Sequence, residues 1–108
     1  MNHEKQEQYN AYLYSAILEL KDIDECRAFF ETLCTTQEIR SFAQRIQVAK
    51  MLHDGCVYSR IVRETGASTA TISRVKRCLH YGADGYKLVL ERLKTKRGES
   101  DRENADKG

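Results

Sequence analysis

Proline is missing from all 108 residues, and nowhere do more than four strictly apolar residues follow one another, at Ala11 to Tyr14. The second absence excludes a transmembrane helix, which needs about 20 consecutive apolar residues, and equally the apolar core of a signal peptide. Period-two alternation is missing too, and so is any internal repeat, so no strand is expected. No Ser/His/Asp or Cys/His constellation can be assembled, and no glycine-rich phosphate loop follows a strand; nothing in the sequence reads as an enzyme. Four cysteines, Cys26, Cys34, Cys56 and Cys78, lack close spacing. With no export signal they read as reduced core thiols in a cytoplasmic chain rather than as disulfides. His53 with Cys56, and Cys78 with His80, lack the second ligand pair of a structural zinc site, and His3 falls at the terminus. No metal is expected.

What is present is 41% hydrophobic and 31% charged residues, the proportions of a soluble globular chain with one modest core. The net charge of +2 conceals an asymmetry. Residues 1–55 carry six Lys/Arg against nine Asp/Glu, net −3, and residues 98–108 carry two against four, net −2. Residues 56–97 carry ten against three, net +7. So concentrated an excess of bases points to a polyanionic partner.

Apolar residues recur with the 3.6-residue period almost throughout. Tyr9, Leu13, Ala16, Ile17 and Leu20 form a first stripe. Asp22 or Asp24 can cap a second helix carrying Ile23, Cys26, Phe30 and Leu33. Thr35 and Glu38 have the spacing of a capping box. The third helix then carries Ile39, Phe42, Ala43, Ile46, Ala49 and Leu52, and stops at Asp54-Gly55. A short fourth helix presents Tyr58, Ile61, Val62 and Thr65 and ends at Gly66. Ser68 caps a fifth, whose inward stripe is Ile72, Val75 and Leu79. "YGADG" (81–85) breaks the pattern, and a sixth helix carries Tyr86, Val89, Leu90 and Leu93. From Thr95 onward only Ala105 is apolar, so composition predicts an ordered domain over 1–94 and a charged, disordered tail over 95–108. The fold class expected is all-α, with about six helices.

The segment "RETGASTATISRVKR" (63–77) joins two of these helices through a glycine-containing turn of about three residues, the spacing of a helix-turn-helix. Opposite its inward stripe the fifth helix turns Ala70, Ser73, Arg74, Arg77 and Tyr81 outward, with Thr69 at the flank. Small residues at its N-terminal end allow close approach to base edges in the major groove, hydroxyls can bond bases or phosphates, and arginine can pair with guanine O6 and N7. Thr69, Ala70, Thr71, Ser73, Arg74 and Arg77 are thus expected to face bases or adjacent phosphates, with Arg60, Arg63 and Lys76 on the sugar-phosphate backbone.

The segments "EIRSFAQRIQVAKMLHDG" (38–55) and "GASTATISRVKRCLHYG" (66–82), within a match from about Leu18 to Leu93, resemble the Trp-repressor-like family, and closely its YerC/YecD branch. The resemblance implies an intertwined homodimer with interlocking N-terminal helices, binding a pseudo-palindromic double-stranded operator as a repressor. It also implies a candidate effector pocket. Thr35, Arg45 and Arg74 match the threonine and two arginines with which the Trp repressor holds tryptophan. Two positions depart: Val75 replaces a glycine against the indole, and Cys78 replaces a serine at the amino group. L-tryptophan is therefore not expected as a cofactor; the protein is expected to bind DNA unliganded or with a different, smaller ligand. The rival reading is a dimeric all-α interaction module that has lost operator binding; a recombinase fragment would need a catalytic domain that this sequence lacks.

Overall fold

The computed structural model describes the backbone of residues 2–107 and the side chains of residues 2–98. Helices α1 (His3–Leu18), α2 (Ile23–Leu33), α3 (Thr36–His53), α4 (Tyr58–Thr65), α5 (Thr69–His80) and α6 (Gly85–Lys107) follow one another, with no strand among the described residues. They divide into two compact units, one ending at Arg40 and one beginning at Ser41.

In the first unit the helix starts are local chemistry. Asn2 accepts the Lys5 N–H at 2.9 Å to open α1, and Asp22, of the two aspartates expected, accepts the Glu25 N–H at 2.9 Å to open α2. The capping box is reciprocal. Thr35 Oγ1 accepts the Glu38 N–H at 3.1 Å, and the Glu38 carboxylate accepts the Thr35 N–H at 2.9 Å. Hydrogen bonds from the Thr35 backbone, then from its hydroxyl, hold the Glu38 carboxyl below its ordinary pKa. Yet among its described residues this unit buries no side chain. Leu13, Ala16, Ile17 and Phe30 are half-buried, whereas Tyr12 and Leu18 are 80% and 83% exposed and Ile23 and Leu33 also face out. The periodic stripes exist and nothing within the unit covers them.

The second unit holds the core. Val48, Ala49 and Met51 of α3, Ile61 of α4, Ala67 of the following turn, Ile72, Val75 and Leu79 of α5 and Leu90 of α6 are buried together. Burying a Val, Leu or Ile side chain stabilises by about 1.5–3 kcal/mol, so this cluster dominates the unit's stability. The inward stripe of α5 is the one expected. On α3 the stripe is shifted: Ala49 is buried and Ile46 and Leu52 are half-buried, but Phe42 and Ala43 are exposed while Val48 and Met51 are buried. The helix has two adjoining apolar faces, and α4–α6 pack on the one that includes Val48 and Met51.

Both glycine stops are structural. At the end of α3, Gly55 takes φ 82°, the Cys56 N–H donates to Met51 O (2.9 Å) and the Gly55 N–H donates to Leu52 O (3.1 Å), a Schellman motif. At the end of α4, Gly66 takes φ 70° and its N–H donates to Val62 O at 2.9 Å. One expectation needs correction. Cys26 and Cys78 are exposed, with Cys34 and Cys56 half-buried, so the four free thiols are not all in a core. The backbone of α6 is helical from Gly85 to Lys107.

Candidate nucleic-acid interface

Three residues, Gly66 to Ser68, separate α4 from α5. Left-handed Gly66 reverses the chain, Ala67 is small enough to be buried in the turn, and Ser68 opens α5 by accepting the Thr71 N–H at 3.1 Å. Thr65 braces the same turn. Its hydroxyl donates to Ile61 O at 2.6 Å and accepts the Ala67 N–H at 3.1 Å. From α3, the Gln44 side-chain amide donates to the Thr65 carbonyl at 3.1 Å.

With Ile72, Val75 and Leu79 anchored, α5 presents Thr69, Ala70, Ser73, Arg74 and Arg77 as one exposed face. Lys76 is exposed at its margin, its ammonium 5.4 Å from the centre of the Tyr58 ring on α4. A cation over an aromatic face is held loosely while its charge stays available to an incoming anion. Thr71 is placed differently: it is half-buried, and its hydroxyl accepts a hydrogen bond from the Ser68 hydroxyl at 3.1 Å, so it belongs to the cap as much as to the outer face. Arg63 is exposed on α4. Arg60 is exposed as well but engaged, its Nε donating to Glu64 Oε1 at 3.0 Å. That hydrogen bond, then the charge of Glu64, raises the guanidinium pKa. The geometry thus gathers most of the expected contact residues on one surface and leaves two of them, Arg60 and Thr71, already partnered.

This arrangement is a helix-turn-helix with a small, hydroxyl-rich and basic outer face on its second helix. The family profile described as Trp repressor protein matches residues 7–94. The chain belongs to the Trp repressor family. It is 58% identical over 88 residues to the uncharacterised protein YerC of Bacillus subtilis strain 168, covering 82% of this chain and 85% of that one. The crystal structure of a candidate Trp repressor from Staphylococcus aureus superimposes with a TM-score of 0.80 at 49% identity, covering 87% of this chain and 95% of the other. A TrpR-like protein from Eubacterium eligens gives 0.79 at 54% identity, covering 85% and 95%. The Trp repressor family is one of DNA-binding regulators and not of enzymes, so the fold is that of a DNA-binding regulator. No helix among the described residues is long and apolar enough to cross a membrane.

The residues that the family resemblance assigns to an effector fall in both units, Thr35 in the first and Arg45, Arg74 and Cys78 in the second. Thr35, in the first unit, is engaged in the capping box. In the second unit Arg45 is half-buried, with its guanidinium carbon 5.0 Å from the Phe42 ring centre and its Nε donating to Ser41 O at 3.4 Å. Arg74 is exposed. Val75 is 1% exposed, its side chain committed to the core. Cys78 lines a cavity of about 380 Å³ with Ile46, Ala83, Gly85, Tyr86 and Val89, a wall that includes neither arginine.

Sequence reasoning missed Gln44 and Tyr58 as parts of this site. The Arg60–Glu64 pair has a visible signal in its four-residue spacing. Tyr58 with Lys76, and Gln44 with Thr65, are joined only by the tertiary arrangement.

Proposed function

We propose that this chain is a cytoplasmic, homodimeric transcriptional repressor that binds a pseudo-palindromic operator by placing α5 in the major groove. The observation that carries the reading is the two-sidedness of α5: three buried apolar residues inward, and Thr69, Ala70, Ser73, Arg74 and Arg77 outward. The small side chains admit the helix to the groove, Arg74 and Arg77 read bases, and Arg63 and Lys76 neutralise phosphates, with Thr71 and Arg60 in supporting places. The regional charge of +7 over residues 56–97 favours DNA over a protein partner. The uncovered apolar residues of α1 and α2 support a dimer, since a second copy of the chain can cover them.

L-tryptophan is not its effector in this reading. Where the family's ligand needs space against its indole, Val75 fills a core position, and Cys78 offers a weak thiol in place of a hydroxyl. The repressor binds DNA without it.

Gel shifts at two salt concentrations, with a selected site and a scrambled one, test DNA binding directly. Preference for the selected site that persists at the higher salt is expected; the absence of any shift favours the protein-interaction module. Light scattering at micromolar concentration should return twice the chain mass, and a persistent monomer contradicts the dimer.

A further inference from the structure

Every side-chain hydrogen bond among the described residues spans four residues or fewer, with one exception. The exception joins Gln44 Nε2 to the Thr65 carbonyl across 21 positions. Its acceptor is the carbonyl of the last residue of α4, a group that a helix end leaves without an intrahelical partner. Immediately beyond it lie Gly66, Ala67 and the cap of α5. The buried apolar cluster holds α3, α4 and α5 together, but apolar burial is non-directional and tolerates small rotations. A hydrogen bond is directional, weakening steeply once its angle falls below about 120°. Gln44 is half-buried, so its donor is partly shielded from competing water.

We propose that Gln44 is a positioning residue for DNA readout: by holding the Thr65 carbonyl from α3, it fixes the turn of the helix-turn-helix and hence the aim of α5. This rests on the reading of α5 as the groove-entering helix. Gln44 touches no DNA itself in this account. A small tilt of α5 spoils paired contacts to base edges, which demand both distance and direction, while long basic side chains still reach phosphates. Loss of the tie therefore costs discrimination more than it costs general DNA affinity.

The test uses the full-length chain carrying Gln44→Ala or Gln44→Glu, with operator and scrambled DNA compared by fluorescence anisotropy at about pH 7.5 and pH 5 and wild type as control at both. A glutamate here has an ordinary pKa of about 4.3, raised by partial burial and by the facing carbonyl. Ionised, it repels the Thr65 oxygen; protonated, it donates to it. At the higher pH both variants should lose about five- to tenfold in operator affinity, the scale of one directional hydrogen bond, with scrambled-DNA affinity within about twofold of wild type. At the lower pH Gln44→Glu should recover most of its loss and Gln44→Ala none. Equal operator affinities in all three proteins overturn the proposal, as does a Gln44→Glu defect indifferent to pH. Equal losses on both DNAs overturn it too, because they mark general destabilisation. If wild type does not discriminate operator from scrambled DNA, it is the regulator reading that fails. The Ala67 amide shift, followed by NMR without DNA, tests the tie independently: it should move with pH in Gln44→Glu, and stillness overturns it.

Discussion

Lys76 offers the sharpest separation between phosphate contact and base reading. Its ammonium lies at the margin of the outer face of α5, supported by the Tyr58 ring at 5.4 Å, off the row of Ser73, Arg74 and Arg77. In a dimer Lys76→Ala removes two such charges. Each phosphate neutralised contributes about 0.9 to the slope of log affinity against log salt, so the slope should flatten by about 1.8. Between about 50 and 200 mM salt, a fourfold change, wild type should then lose about tenfold more affinity than the variant. Arg60→Ala should flatten the slope less, because the Arg60 guanidinium is already engaged by Glu64 at 3.0 Å and reaches a phosphate only by giving up that partner. Anisotropy titrations on operator and scrambled DNA at four or five salt concentrations measure both slopes. The operator-to-scrambled ratio should stay that of wild type. An unchanged slope for Lys76→Ala, or an altered ratio, refutes the placement of Lys76 on phosphate.

Arg77→Ala should behave in the opposite way, costing about 1–3 kcal/mol on the operator and relaxing preference at one base position per half-site. An unaltered binding profile from randomised-site selection would remove Arg77 from the groove. Isothermal titration with L-tryptophan should be silent up to millimolar concentration; micromolar binding with tightened operator affinity would show that the backbone reopens a slot beside Val75. Acid should act on the α3 cap. The Glu38 pKa is lowered in the folded chain by its bonds from Thr35, so its contribution is present above the unfolded carboxylate pKa and is lost as pH falls through the folded value. Urea melts should therefore show wild type more stable than Glu38→Gln at pH 7 and the gap narrowing as pH falls below the ordinary carboxylate range, whereas a constant gap would mean that the charge is irrelevant to the cap.

Much of the architecture is written in short-range chemistry. Asp22, the Thr35–Glu38 box, Gly55, Gly66 and Ser68 act within three or four residues of themselves, so the starts of α2, α3 and α5 and the ends of α3 and α4 are legible from spacing alone. The inward stripe of α5 is legible for the same reason, because only one of its faces is apolar. On α3 two apolar faces adjoin, and periodicity cannot decide that Val48 and Met51 rather than Phe42 and Ala43 meet the other helices. The outward set on α5 follows once the inward set is known. Its supports do not: Tyr58 under Lys76, Gln44 on Thr65, and Ala67 filling the turn each depend on how elements meet in space. The diversion of Thr71 into the cap is local and readable in retrospect, since a hydroxyl three residues after an N-cap serine lies within its reach.

The central claim is that α5 reads DNA sequence as one of a symmetric pair. Selection of bound duplexes from a random library, using the full-length protein, tests that claim most directly. The account predicts enrichment of a pseudo-palindrome whose half-sites are centred about 10 bp apart, one helical turn. Recovery of unenriched random sequence, or of a single asymmetric site, would contradict it.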